Sequence, residues 1–254
     1  MKRILFSLGL VGLVMSVMAI DPRLGSVSPS GFQAGTEVQM TFSGSRLDDA
    51  EEILFYKKGF EVLAIEEKKA ASVRVKVRVA ADCPLGEHPV RVRTKGGVTE
   101  VKTFYVGPFP VVARVKPKAD EPHQKLPLNS TVASSVPNES QELFTVDAKK
   151  GQRLSAEIES MRLGRGFYDP YIEILDTKGF ILSRSDDTKL FIQDCYASAT
   201  VPEDGSYTIK VRETSYGAIG AYRMHVGTFA RPTAAYPGGG VVGQDLQVKL
   251  IDPA

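Results

Sequence analysis

Ala71-Ser72-Val73-Arg74-Val75-Lys76-Val77-Arg78-Val79-Ala80 decides the fold class of this chain. Valine takes alternate positions and a basic residue each position between. Successive side chains of a strand point to opposite faces, so this segment can bury one face and wet the other. The alternation returns in Pro89-Val90-Arg91-Val92-Arg93, in residues 98–106, in Ser206-Tyr207-Thr208-Ile209-Lys210-Val211 and in residues 221–226. Gly, Pro, Asn and Asp separate these runs, which is the pattern of antiparallel sandwiches. Helix-like composition is confined to residues 47–52, which run into Ile53-Leu54-Phe55-Tyr56 and are read as a turn or a single helical turn. The chain is expected to be all-β.

Between Gly107 and Asn138 the alternation stops and proline accumulates, at 108, 110, 117, 122, 127 and 137. Proline fixes φ and removes a ladder donor, so this stretch is expected to be an extended connector with short edge pairings at most. A second break falls at Arg231-Pro232-Thr233-Ala234-Ala235-Tyr236-Pro237-Gly238-Gly239-Gly240. Beyond it, residues 27–42 lie without a gap on residues 235–250. Pro29 meets Pro237, Gly31 meets Gly239, Gly35 meets Gly243 and Gln39 meets Gln247, while Val38, Met40 and Phe42 meet Leu246, Val248 and Leu250. Such a repeat predicts that a second domain of the first kind opens near residue 235. The alternative is an edge strand added to the neighbouring domain.

Lys2 and Arg3 precede an almost uninterrupted apolar run over residues 4–18, closed by Val17-Met18-Ala19. That is the layout of a cleaved leader over residues 1–19, and the run is too short for a comfortable membrane span of ~20 residues. The mature chain is expected to be exported, with no transmembrane segment after cleavage. The two leader cations account for the formal charge of +2, leaving a neutral mature chain. Neutrality gives no electrostatic case for nucleic acid, whose binding rests on phosphate neutralisation. Cys83 and Cys195 fall in different expected domains and read as separately buried apolar groups. The histidines, His88, His123 and His225, lie near no GxSxG or HExxH motif.

Val27-Ser28-Pro29-Ser30-Gly31, Gly35-Thr36-Glu37-Val38, Phe42-Ser43-Gly44-Ser45-Arg46-Leu47 and the later Pro84-Leu85-Gly86-Glu87-His88-Pro89-Val90 carry a likeness. They resemble the turns and hairpins of the IPT/TIG type of immunoglobulin-like domain. Further on, Phe144-Thr145-Val146, Asp169-Pro170-Tyr171-Ile172-Glu173-Ile174-Leu175-Asp176, Pro202-Glu203-Asp204-Gly205-Ser206-Tyr207 and Gly220-Ala221-Tyr222-Arg223-Met224 resemble a bacterial pre-peptidase C-terminal domain. The resemblances imply two antiparallel β-sandwich domains, immunoglobulin-like over residues 21–107 and jelly-roll-like over residues 125–229. A Pro-rich linker over residues 108–124 joins them. Residues 230–254 would hold a second linker and the first strand of a further immunoglobulin-like domain.

Under that topology Asp169, Asp186, Asp187 and Asp194 flank neighbouring strands. Two readings stand: oxygen donors for calcium, which takes six to eight such ligands, or turn formers bonding their own backbone. Arg74, Lys76, Arg78, Arg91 and Arg93 would project from the outer face of the first domain. They offer a patch for a polyanion, or a solvated face neutralised by Glu51, Glu61 or Glu66. Among the aromatic residues of the second domain, Tyr168 and Tyr216 are expected to point outward and the rest to be core.

No catalytic constellation is legible. The first reading is therefore a non-catalytic secreted or cell-surface module that binds an extracellular polysaccharide or protein, or spaces other domains. The alternative is an accessory region of a larger secreted hydrolase, a peptidase, whose catalytic domain lies outside this chain.

Overall fold

The computed structural model describes residues 21–252 except 116–122, 165, 190, 218 and 219. The expected leader lies outside the described residues. Apart from a 3-10 turn at Met161–Leu163, the described elements are strands, and the chain is all-β. No helix among the described residues is long and apolar enough to cross a membrane.

The first sandwich uses β1 (Arg23–Ser28), β2 (Gly31–Gln33), β3 (Glu37–Ser45), β4 (Ala50–Phe55), β5 (Phe60–Lys69), β6 (Ser72–Val79), β7 (Gly86–Thr94), β8 (Gly97–Val98) and β9 (Lys102–Gly107). One sheet has the order β1-β3-β6-β5 and the other β2-β9-β7-β4, with β2 parallel to β9. Strands β1, β3 and β6 paired in sequence order with β5 as a crossed-over edge, facing a sheet in which β7 lies between β4 and β9, is immunoglobulin topology. The valines of β6 behave as their spacing dictates. Val73, Val75 and Val77 are fully buried while Arg74, Lys76 and Arg78 are exposed. Each valine so buried contributes about 1.5–3 kcal/mol of transfer free energy. They share a core with Phe42 of the neighbouring β3 and with Phe104 and Phe32 of the facing sheet, the last two stacked at 5.1 Å.

The second sandwich is built from β10 (Val111–Val112), β11 (Gln124–Lys125), β12 (Ser130–Val136), β13 (Gln141–Ala148), β14 (Arg153–Glu159), β15 (Pro170–Leu175), β16 (Ile181–Ser185), β17 (Tyr196–Thr200), β18 (Gly205–Glu213) and β19 (Gly220–Gly227). Its sheets run β10-β12-β19-β14-β17 and β11-β13-β18-β15-β16. From β12 onward, first pairs with last and second with last but one, alternately in the two sheets, which is a jelly roll. Two pieces of the proline-rich stretch, β10 and β11, enter as parallel edge strands, one in each sheet. Two-residue edges suit a segment whose prolines can donate no ladder hydrogen bonds. Cys83 and Cys195 are free thiols, each buried in its own core.

The sheet carrying β14 and β19 is buried on both faces. Inward point Leu154, Ala156 and Ile158 with Tyr222, Met224 and Val226. Outward point Glu157, Glu159, Arg223 and His225, yet all four are buried as well. The first sandwich supplies part of their cover. A Cβ at Gly31 would lie 2.5 Å from Arg223 Cζ and 2.7 Å from the Tyr105 carbonyl oxygen, so the backbone approach needs glycine there. The Tyr105 hydroxyl donates to the carbonyl of Arg162.

Last come β20 (Ala234–Tyr236) and β21 (Lys249–Ile251), an antiparallel ribbon. Among the described residues these strands pair only with each other, so the ribbon adds no edge strand to the second sandwich.

Candidate functional site

At one end of the second sandwich, Asp169 precedes β15 while Asp186 and Asp187 follow β16. Those two strands are hydrogen-bonded neighbours, so the turns converge, and carboxylate oxygens of the three residues lie within 4.8 Å of one another. Asp186 and Asp187 are exposed and Asp169 is partly buried. Burial, and then the charges of Asp186, Asp187 and Glu213, push the Asp169 carboxyl above its ordinary value. Thr214 Oγ1 donates to Asp186 at 2.7 Å, and Gln193 Nε2 reaches Asp169 Oδ2 at 3.5 Å. Asp169 Oδ1 has no hydrogen-bond partner among the described residues. Three hard oxygen donors at one point match part of a calcium or magnesium ligand set.

Asp194, the fourth expected ligand, is elsewhere. It is fully buried and accepts the backbone N–H groups of Ser160 at 2.8 Å and Met161 at 2.7 Å. Arg162 Nε donates to its other oxygen at 2.5 Å. It caps the 3-10 turn, whose first N–H groups have no partner within the turn. Its oxygens are committed there and it leaves the calcium set.

The expected basic face divides. β6 and β7 belong to opposite sheets, so Arg74, Lys76 and Arg78 share no face with Arg91 and Arg93. Acids then pair with all three cations of β6 and with Arg93 of β7. Lys76 pairs with Glu37 at 2.8 Å, Arg78 with Glu37 and Glu61 at 3.1 and 2.8 Å, and Arg74 with Glu67 at 3.0 Å. Arg93 pairs with Glu51 and Glu52 at 2.5 and 3.0 Å. Exposed pairs of this kind contribute ~0–1 kcal/mol each, and here they cancel the field a polyanion would need.

Of the two tyrosines expected outside, Tyr216 is 39 % exposed and Tyr168 only 1 %. Tyr168 packs against Gly220, where a Cβ would fall 2.1 Å from its ring, and stacks on Tyr222 at 6.3 Å. Arg212 lies between Tyr171 and Tyr216, 3.9 and 4.7 Å from the ring centres, so it covers a face of each. Phe167, at 64 %, is more exposed than Tyr216. His88 sits buried in the first core, its Nε2 2.6 Å from the Pro84 carbonyl, and burial pulls it below the usual histidine range. Its ring packs against Phe60 and Phe104.

Two features escaped the sequence reading. One is a cleft of about 410 Å³ between the edge strands β16 and β17, within the size range of ligand sites. Ser183, Ser185, Thr188, Ser198 and Thr233 line it with hydroxyls, and Arg184 and Lys189 stand at it exposed, without an ion pair among the described residues. Asp187 also lines it, so cleft and acidic cluster are adjacent. The other is the buried polar seam beneath the first sandwich. Glu159 Oε2 accepts Arg223 Nη1 at 2.7 Å, and Glu159 Oε1 lies 3.2 Å from His225 Nε2. His225 Nδ1 is 2.7 Å from Thr131 Oγ1. Glu157 meets Arg162 at 2.9 Å and also Arg231. Burial raises the Glu159 carboxyl, but His225, Arg223 and Arg162 together outweigh it and hold the group down to about 2.

No family model and no curated protein matches this chain. Solved structures with partial likeness include a periplasmic inhibitor of g-type lysozyme from Aeromonas hydrophila, with TM-score 0.32 and 15% identity, covering 41% of this chain and 95% of that one. The pre-peptidase C-terminal domain of a Bacillus anthracis collagenase has TM-score 0.32 and 13% identity, over 46% of this chain and 96% of that one. A Bacteroides ovatus mixed-linkage glucan utilization protein, SGBP-B, in complex with a mixed-linkage heptasaccharide, has TM-score 0.29 and 8% identity, over 76% and 74%. At these scores no functional argument rests on them.

Proposed function

We propose that this chain is a non-catalytic module of an exported protein that holds a hydroxyl-bearing matrix polymer, with acidic groups, in the cleft between β16 and β17. The observation that supports this reading is the lining itself: five serine and threonine side chains, and two exposed cations, Arg184 and Lys189, without an ion pair among the described residues. Hydroxyls exchange donor and acceptor roles with a sugar ring, and an unpaired Arg or Lys gains most from a carboxylate or sulfate on the ligand. The immunoglobulin-like sandwich packed on the outer face of the sheet of β14 and β19 would then serve to position this domain. Asp169, Asp186 and Asp187 are the residues we assign to calcium beside the cleft, and the pre-peptidase C-terminal resemblance extends to this second sandwich.

Affinity electrophoresis of the mature chain through gels holding polygalacturonate or neutral dextran tests the reading. Retardation by the acidic polymer is expected, with roughly tenfold weakening for Arg184→Ala/Lys189→Ala, the loss of about one charge-assisted contact. Unchanged melting of the variant controls for folding. Equal retardation of variant and parent, or none of the parent, overturns the assignment.

A further inference from the structure

The ribbon of β20 and β21 repeats the geometry of the first hairpin in the chain. In that hairpin Val27 pairs with Phe42 and Ser28 with Thr41. In the ribbon Ala235 pairs with Leu250 and Tyr236 with Lys249, which are the same two rungs when residues 27–42 are laid on 235–250. Gly35 takes φ +76° and its counterpart Gly243 takes φ +84°, both in the left-handed region that glycine serves. Sequence repeat, strand register and turn conformation thus agree, and each was free to differ. A one-residue slip would have turned every side chain to the other face.

Burial is what differs. Met40 and Phe42 are fully buried, whereas Val248 and Leu250, in the same places, are 45 % and 64 % exposed. Leu246, opposite Val38 in the alignment, is 44 % exposed. Two-stranded ribbons are marginal alone in water, and apolar rows of this kind mark a surface awaiting cover. In the first domain the cover comes from β6 along the free edge of β3 and from the facing sheet of β2, β9, β7 and β4. Charge points the same way. Glu37, which binds Lys76 and Arg78 of β6, is matched by Asp245, an exposed acid at the position where a basic strand of that type would pair. The root of the ribbon is fixed, since Asp252 accepts Arg153 of β14 at 2.8 Å and the backbone N–H of Arg231 at 3.1 Å.

We propose that residues 234–251 are the opening hairpin of a second immunoglobulin-like domain. Its apolar face is covered by the remaining strands of that domain, supplied by chain continuing past Ala254. The repeat unit of the protein is then an immunoglobulin-like sandwich on each side of one jelly roll. This inference concerns chain architecture and does not depend on what the cleft binds.

Intact mass and C-terminal sequence of the polypeptide secreted by the source organism provide the test. A mass above the 27.6 kDa of these residues by at least one further sandwich is expected, and an end within a few residues of 254 overturns the proposal. Hydrogen exchange then separates a packed hairpin from a mere extension. Amides 246–250 should exchange at least a hundredfold more slowly in the secreted polypeptide than in the chain cut at 254, and equal rates overturn it. Loss of polymer retention in the cleft variant leaves both measurements unchanged.

Discussion

Glu159→Gln keeps the shape of the side chain and removes its charge, leaving Arg223 cationic and 1 % exposed beside a neutral amide. Breaking a buried ion pair from one side costs about 3–5 kcal/mol, because the remaining charge keeps its desolvation penalty without its partner. The carboxyl itself leads to a similar figure. Moving from an ordinary 4.5 to about 2 in the folded chain corresponds to about 3 kcal/mol. Because the folded value lies below the unfolded one, this stabilisation is complete above pH 4.5 and is lost as pH falls toward 2. Urea denaturation followed by circular dichroism should therefore show the variant about 3 kcal/mol less stable at pH 7, with the gap closing between pH 4.5 and 2. Glu159→Leu combined with Arg223→Met should recover most of the loss, since neither buried charge remains. A loss below 1 kcal/mol at pH 7, or a gap unchanged at pH 2, would refute the pairing as the source of seam stability.

Gly31→Ala drives a methyl into the Arg223 guanidinium at 2.5 Å and the Tyr105 carbonyl at 2.7 Å, so the seam between the sandwiches should loosen at a cost of roughly 1–3 kcal/mol. Small-angle scattering should show a larger radius of gyration, and an unchanged profile with unchanged melting would count against a fixed junction. Millimolar calcium should raise the melting temperature of the parent, by the equivalent of about 2.7 kcal/mol at a hundred times Kd, and not that of Asp186→Asn/Asp187→Asn. A rise of equal size in both would remove these residues from the site.

The strands were legible because their signal is local. In β6 the alternation alone says which residues are buried, and the structure agrees at each of Val73, Val75, Val77 and Val79. The basic patch failed for a reason the immunoglobulin resemblance already contained. β6 and β7 are consecutive in sequence, but that topology sends them to opposite sheets, so strands that alternate identically need not share a face. Asp194 failed differently. The topology implied by the resemblance placed it on a turn flanking the same strands, and the unpaired N–H groups of the 3-10 turn claimed it instead.

The seam was the least legible feature, and β14 shows why. Arg153-Leu154-Ser155-Ala156-Glu157-Ile158-Glu159 alternates like any half-wet strand, and period-two patterning reports which residues leave the core, not what meets them outside. The cover arrives from Gly31 and Tyr105, far away in sequence, and its only local trace is indirect. Two glutamates on β14 lie in register with His225 and Arg223 of β19, Glu157 opposite His225 and Glu159 opposite Arg223. On a wet surface such cross-strand pairs contribute ~0.2–1 kcal/mol each and need no shelter. Opposite charges aligned on adjacent central strands, with glycine and tyrosine available on a neighbouring domain, are also what a buried junction requires, because every charge taken from water there must bring its own partner. The ribbon at residues 234–251 presents the converse case: a hairpin whose charge, Asp245, and apolar row, Val248 and Leu250, are all exposed, with no strand paired to it among the described residues.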